Sequence, residues 1–156
     1  LFGRPCPGWW RGPLLRGMLV FVLAAFYVRW ATPEHLFRFP LERTGLWLLV
    51  VLLYPALSVL PQELIYRVWV FEAHRPLWAF SALPVMVSAL FFGWVHIIYA
   101  GWFAVLSCIV GGLALGWNYH VNRNSPGAIW PLLLEHSLYG LTMFTVGLGR
   151  YFFLPR

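Results

Sequence analysis

The stretch "LWLLVVLLYPALSVLPQELIYRVWVF", residues 46–71, decides the fold class because it is apolar over more than one membrane thickness. A helix needs about 20 apolar residues to span the hydrocarbon core of a bilayer. Pro61 lies inside the stretch and is expected to interrupt the helix, with Ser58 capping the part that follows. The stretch also carries the polar side chains of Gln62, Glu63 and Arg67 close together. Polar groups at membrane depth are costly, so they indicate a functional site.

The composition also indicates a membrane protein. Of the 156 residues, 61% are apolar and 10% are charged, whereas a soluble domain carries about 25% charged residues. Tryptophan, tyrosine and phenylalanine make up 19% of the chain, and aromatic side chains favour the membrane–water interface. We therefore expect one multi-pass integral membrane domain over residues 1–156, in the cytoplasmic membrane if the source is bacterial.

Further apolar segments predict additional membrane helices at residues 14–31, 77–100, 103–121 and 128–148. Together with residues 46–71, they indicate an all-α fold, a polytopic transmembrane helix bundle of about five helices. The stretch "TPEHLFRFPLERTG", residues 32–45, mixes apolar and charged side chains and suits the membrane interface. The first residue is leucine rather than methionine, so we expect the chain to be truncated at its N-terminus.

The net charge of +6 comes from arginine, since the chain has no lysine. The arginines lie at the ends of apolar runs, as helix anchors do against lipid headgroups, so we expect the bilayer as a partner and no nucleic acid. Cys6 and Cys108 form no disulfide framework, and Cys108 is expected to be a small core residue. Gly112 and Gly116 predict close helix packing within the chain, with dimerisation as the alternative, and the oligomeric state stays open.

Three of the predicted helices carry ionisable groups at membrane depth. Glu63 and Arg67 are four residues apart, so they share one face of a helix. His96 ends the run "ALFFGWVH", where Phe92 lies one turn earlier on the same face and can hold the imidazole. His136 lies in the run "PLLLEHSLYG". A bundle that turns these groups inward would bring them to one site.

The remaining ionisable groups are expected to lie elsewhere. Glu135 is adjacent to His136, but neighbours on a helix point about 100° apart, so the two need not serve the same site. His35 and His74 are expected in loops, and His120 near an interface. The Glu63–Arg67 pair itself has a structural alternative, an internal ion pair that satisfies its own charges.

One carboxylate and two histidines allow two routes to amide hydrolysis. Glu63, His96 and His136 match the ligand types of a catalytic zinc site, in which water completes the coordination of the metal. Without metal, Glu63 would act as general base on a water while a histidine polarises the carbonyl. Both routes stay open, because the sequence lacks the metalloprotease signature HExxH that would favour one of them.

The order of these motifs resembles that of the CPBP family, the CAAX proteases and bacteriocin-processing enzymes also called Abi. The family motif EExxxR corresponds to residues 62–67 and FxxxH to residues 92–96. The histidine of the third motif corresponds to His136, after the lead-in "SPGAIWPLLLEH". The resemblance covers about residues 45–145. It implies a CAAX prenyl protease-like intramembrane endopeptidase, glutamate-type or metal-dependent, that acts on a peptide or membrane-protein substrate.

Two positions depart from the family pattern. The first glutamate of EExxxR, to which the family assigns water activation, is Gln62 here, and a neutral amide is a poor base. The Asn or Asp of the third motif is Gly140, which removes a donor for the oxyanion or for its supporting groups. The sequence "HVNRN", residues 120–124, fits the pattern HxxxN but precedes the lead-in, so we set it aside as a decoy.

The resemblance implies a role for each candidate residue. Glu63 is expected to activate the water, alone or on a divalent metal such as zinc, and Arg67 to orient Glu63. His96 and His136 are expected to bind the metal or to stabilise the oxyanion, and Gln62 to hydrogen-bond the water or the substrate. The first alternative is a membrane scaffold or partner-binding protein that has lost the base. A proton or ion carrier is the third interpretation, disfavoured because the sequence has no repeated pair of broken helices.

Overall fold

The computed structural model describes residues 1–75, 82–99 and 101–152, and these residues form helices and no strands. In chain order, the helices are α1 (Arg11–Ala31), α2 (Arg38–Glu42), α3 (Thr44–Ala73), α4 (Leu83–Val95), α5 (Trp102–Asn122) and α6 (Ile129–Val146). Shorter 3₁₀ turns cover Pro33–His35, His96–Tyr99 and Leu148–Phe152. The all-α prediction is confirmed.

The predicted segments coincide with α1, α3, α5 and α6 to within about one helical turn at each end. The predicted segment 77–100 is described from Leu83 onward, and its residues 77–81 and 100 lie outside the described part of the chain. By length and composition, α1, α3 and α5 can cross a membrane. Within the described residues, Leu83–Tyr99 is a shorter apolar helix, and α6, which carries Glu135 and His136, is not among these candidate spans.

Helix α3 runs through Pro61 without a break, so the predicted interruption there and the predicted helix start at Ser58 are wrong. Two wide π-helical turns, Pro55–Val59 and Leu64–Trp69, lie within it. A proline ring clashes with the carbonyl four residues earlier in a regular α-helix. In a π turn, each carbonyl oxygen accepts a hydrogen bond from the N–H group five residues later instead of four, which lets the helix continue past a proline. Helix α3 therefore presents one continuous face from Tyr54 to Arg67.

Small residues set the distance between α4 and α5, which pack along each other. A Cβ atom on Gly112 would lie 2.9 Å from the Cα atom of Ala89, and one on Gly116 would lie 3.2 Å from a side-chain carbon of Val85. Side chains larger than hydrogen would therefore push the helices apart. This confirms the predicted packing role of both glycines within the chain.

Clusters of buried apolar side chains among the described residues hold the bundle together. One joins α3, α4, α5 and α6 and contains Val70, Phe71, Val85, Leu115, Tyr119, Ile129 and Leu132. Another joins the end of α1 to the end of α6 and contains Ala24, Val28, Val146 and Leu148. Cys108 is buried beside Tyr66 and Phe92, which confirms its predicted place in the core. The outer faces of α1 and α3 expose large apolar side chains, as expected of a surface solvated by lipid.

Candidate active site

A cavity of about 210 Å³ lies between α3, α4, α5 and α6. It brings together Gln62, His96 and His136, which come from three different helices. The other polar side chains in its wall are Tyr54, Ser58, Tyr99, Ser107, Cys108 and Tyr139. The cavity is therefore the place where the sequence-predicted polar residues meet.

Glu63 lies behind His136 rather than in the cavity wall. Its side chain is fully buried, and it is not among the described residues that line the cavity. His136 Nδ1 lies 2.5 Å from Glu63 Oε1. Glu63 therefore contacts the imidazole of His136 from outside the cavity wall, and its expected role in activating the water stays a prediction.

The partners of both imidazoles fix the position of their protons. Glu63 Oε1 accepts a hydrogen bond from His136 Nδ1, and the carbonyl oxygen of Phe92 accepts one from His96 Nδ1 at 2.6 Å. We assign Nδ1–H to each ring because both partners are oxygens that only accept. In its neutral form each ring then has its lone pair on Nε2. Neutral His96 and His136 can accept a proton there, but they cannot donate a hydrogen bond to an oxyanion.

Arg67 is buried beside Glu63, with 3.3 Å between Nη1 and Glu63 Oε1. The guanidinium carbon lies 4.4 Å from the centre of the Phe92 ring, a cation–π contact. Within the described residues, the guanidinium nitrogens and Glu63 Oε2 have no hydrogen-bond partner. The predicted ion pair is thus formed. Most of the hydrogen-bonding groups of its two side chains are unused, and burying such groups costs free energy.

Phe92 holds the two imidazoles in place. Its ring centre lies 4.7 Å from that of His96 and 5.5 Å from that of His136, and both contacts are edge-to-face. The predicted contact with His96 is present, and the contact with His136 was not foreseen. One side chain therefore orients both histidines and also covers Arg67.

Glu135 lies outside this group and is fully satisfied. Arg16 donates two hydrogen bonds to its two oxygens, each of 2.7 Å, and Tyr139 donates a third, of 2.6 Å. Asn118 donates another to Oε2. Glu135 and His136 therefore serve different places, as the helix geometry predicted.

The remaining histidines lie away from the cavity. His35 ends a 3₁₀ turn, and His74 directly follows α3. His120 lies in the last turn of α5, beside Trp117, and it is not a lining residue of the cavity in the described part of the chain. The decoy motif of residues 120–124 thus contributes no side chain to the cavity wall.

Tyr54 and Ser58 are wall residues that the sequence reasoning did not assign to the site. Tyr54, Ser58 and Gln62 follow one another at intervals of four on α3 and all face the cavity. Gln62 Nε2 donates to Ser58 Oγ at 2.9 Å. The four-residue spacing of Tyr54, Ser58 and Gln62 indicates that they share one face of a continuous helix. The prediction that a new helix starts at Ser58 obscured this pattern.

The predicted metal ligands do not assemble into a three-ligand centre. Among the described residues, no group of three or more His, Cys, Asp or Glu side chains could hold a metal ion. The physical reason is that Glu63 Oε1 is taken up by His136 Nδ1, and Glu63 lies outside the cavity wall. Two imidazole nitrogens without the carboxylate are an incomplete set for zinc. The metal stays a prediction.

Comparison with protein families gives a match over more than half of the chain. A family model described as "Type II CAAX prenyl endopeptidase Rce1-like" matches residues 44–142. The matched range begins at the first residue of α3 and ends within α6, so it includes Gln62, His96 and His136. It agrees with the range of about 45–145 expected from the sequence. No curated protein and no solved structure matches the chain.

Proposed function

From the premise that this chain belongs to the Rce1-like family of type II CAAX prenyl endopeptidases, we propose that it is an intramembrane endopeptidase. Its substrate is a peptide bond in a membrane-associated protein or peptide. The chain is an integral membrane protein, and the part of it that the structure describes has three helices long and apolar enough to cross the bilayer. The observation that carries the proposal is the buried pair of Glu63 and His136, whose imidazole lines a cavity between apolar helices.

His136 is the general base in this proposal. Nε2 of neutral His136 takes a proton from a water in the cavity while the water oxygen attacks the scissile carbonyl carbon. Glu63 accepts the Nδ1–H hydrogen bond and stabilises the imidazolium that forms. The imidazolium then gives its Nε2 proton to the leaving nitrogen as the C–N bond breaks. The products are a carboxylic acid and an amine, and His136 returns to the neutral form.

The other predicted site residues support this step from their positions. Arg67 offsets the negative charge of Glu63, which would otherwise be isolated among apolar helices. Gln62 has one amide hydrogen on Ser58, so its carbonyl oxygen and second hydrogen can hold the water or the substrate. His96 can accept a hydrogen bond through Nε2 from the water or from a substrate N–H. Glu63, Arg67 and Phe92 are thus positioning residues, because none of them reaches the reacting atoms in this scheme.

Assigning the base to His136 removes the difficulty posed by Gln62. The amide at position 62 cannot take a proton at neutral pH, so a mechanism with its base at that position would fail. An imidazole whose Nδ1 is held by a carboxylate serves as base in several unrelated hydrolases. Gln62 then needs only to bind, which an amide does well.

The purified chain in lipid vesicles tests the proposal. The substrates are a prenylated CAAX peptide and an unmodified transmembrane peptide, and cleavage is followed by mass spectrometry. We expect His136→Ala to lower kcat/KM about 1000-fold, within the range measured for removal of a general base. His120→Ala is the matched control, since it removes an imidazole outside the cavity and should cleave as the wild type does.

Two outcomes would contradict the proposal. Equal cleavage by wild type and His136→Ala would remove His136 from the reaction. No cleavage of either substrate by the folded wild type would favour the second candidate, a non-catalytic membrane scaffold, for which Gln62 is the supporting observation. Elemental analysis of the same sample addresses the predicted metal: one zinc per chain that is lost in His136→Ala would favour the metal-dependent form.

A further inference from the structure

The phenol of Tyr54 occupies the space that a side chain at position 140 would need. Gly140 lies one helical turn after His136 on α6, so the two positions share a face. A Cβ atom built on Gly140 would overlap the hydroxyl oxygen of Tyr54 and two atoms of its ring. No residue other than glycine therefore allows Tyr54 to lie where it does.

The hydroxyl of Tyr54 lies at the cavity, next to the proposed base. Tyr54 is a wall residue together with His136 and Gln62. Its ring makes edge-to-face contacts with His136 and Phe144, at centroid distances of 6.3 and 5.6 Å. Two aromatic neighbours thus hold the ring in one orientation, and Gly140 receives its hydroxyl end.

Four other donors in the wall are committed elsewhere. His96 and His136 use their Nδ1–H groups on Phe92 and Glu63. The hydroxyl of Ser107 donates to the Phe103 carbonyl at 2.6 Å, and that of Tyr139 donates to Glu135. The ring of Tyr99 contacts His96 and Phe152. The phenol of Tyr54 is therefore an uncommitted donor in the wall, on a ring that contacts the proposed base.

We propose that Tyr54 is the oxyanion donor of this site and takes the place of a side chain at position 140. The inference rests on the proposed function and names one more residue for the same reaction. When the water oxygen bonds to the carbonyl carbon, the carbonyl π electrons move to its oxygen, which becomes an oxyanion. Tyr54 donates an O–H hydrogen bond to that oxygen and keeps its proton. When the C–N bond breaks, the electrons return and the hydrogen bond weakens.

The chemistry suits a phenol in this environment. Hydrogen-bond donors fixed in a cavity with little water stabilise developing charge without having to reorganise. Tyrosine hydroxyls are among the side chains that fill this role. Removing one such donor costs about 100- to 1000-fold in kcat, because the interaction is stronger in the transition state than in the bound substrate.

The test begins with Tyr54→Phe, which keeps the ring and its aromatic contacts and removes only the hydroxyl. In the vesicle assay we expect kcat to fall about 100-fold with KM nearly unchanged. The matched control is Tyr119→Phe, which removes a hydroxyl from another buried, edge-to-face tyrosine that is not a wall residue of the cavity. The control should keep the wild-type kcat, and both variants should unfold at the wild-type temperature.

Further variants distinguish a role of Tyr54 as hydrogen-bond donor from a role in packing. Tyr54→Ala should be as slow as Tyr54→Phe or slower, and the double variant Tyr54→Ala with Gly140→Asn should recover about 10-fold or more of the lost kcat, since an amide N–H can take over as donor. Gly140→Asn alone should be slow, because Tyr54 fills the space. A merely structural role for Tyr54 would give no recovery in the double variant.

The results distinguish this inference from the proposed function. If His136→Ala abolishes cleavage while Tyr54→Phe keeps the wild-type kcat, the function stands and the oxyanion role is overturned. If the kcat of Tyr54→Phe and that of Tyr119→Phe fall equally, the loss is structural and the inference is also overturned. Equal cleavage by wild type and His136→Ala would instead remove the proposed function and this inference together.

Discussion

The two buried glutamates of this chain, Glu63 and Glu135, are satisfied to very different degrees. Both side chains are fully buried. Glu135 accepts hydrogen bonds from Arg16, Asn118 and Tyr139 on both of its oxygens. Glu63 accepts one from His136 and has a looser contact with Arg67, while its Oε2 has no hydrogen-bond partner among the described residues.

The difference distinguishes a carboxylate with a structural role from the carboxylate that the proposed mechanism uses. A fully connected buried network stabilises the fold and gains nothing from moving a proton. A carboxylate with unused capacity, joined to an imidazole in a cavity wall, can respond when charge develops on that imidazole. Natural proteins depart from full satisfaction mainly at functional sites. The contrast therefore points to Glu63, rather than Glu135, as the carboxylate that serves the cavity.

The largest expected effect comes from Glu63→Gln. The amide would no longer fix the His136 tautomer or stabilise the imidazolium, so we expect kcat to fall about 1000-fold, equivalent to about 4 kcal/mol. The thermal unfolding temperature in detergent should also fall, because the buried Arg67 cation loses its counter-charge. Glu42→Gln, in an exposed pair with Arg38, is the control and should leave kcat unchanged. A variant that unfolds early but keeps its kcat would give Glu63 the structural role instead.

Arg16→Ala should produce the next largest effect, and on stability rather than rate. The Arg16 side chain is 47% exposed while that of Glu135 is 0% exposed, so the variant leaves a buried charge without its cation. We expect about 2 kcal/mol of lost stability, less than for a fully buried pair because Asn118 and Tyr139 remain. Thermal unfolding measures the loss, with Arg38→Ala as the control from an exposed ion pair. A large fall in kcat without loss of stability would contradict the division between the two glutamates.

Glu135→Gln should have the smallest effect. The amide oxygen still accepts from its neighbours, and Arg16 can turn its charge toward the exterior because it is half exposed. We expect about 1 kcal/mol of lost stability and an unchanged kcat. The same assays measure both quantities. If Glu135→Gln lowered kcat as much as Glu63→Gln, the two carboxylates would belong to one system and the contrast would disappear.

The helices were predictable from the sequence because their signals are local. Apolar runs long enough to span a membrane located α1, α3, α5 and α6 to within about one turn. The four-residue spacing of Glu63 and Arg67 predicted their contact correctly, since both lie on one helix. Local spacing also predicted that Glu135 and His136 point to different places.

The contacts between helices could not be predicted in the same way. The pairing of Glu63 with His136 spans 73 positions, and that of Arg16 with Glu135 spans 119. Neither spacing carries a periodic signal, because the contacts depend on how the helices rotate against each other. The close contact of Tyr54 with Gly140 across the α3–α6 interface could not be predicted for the same reason. The tautomer of His136 could not be predicted either, because it depends on the position of Glu63, the partner of its Nδ1.

The two π turns of α3 make the site depend on the rotational phase of a single helix. Pro55–Val59 lies between Tyr54 and Gln62, and Leu64–Trp69 follows Glu63. Deleting one residue from the first turn would rotate the helix before it by about 100° relative to the helix after it. Hydropathy and composition would hardly change, yet the phenol and the amide would face different directions. Among related chains, a one-residue gap at this turn would thus separate proteins that share the membrane fold from those that share this cavity.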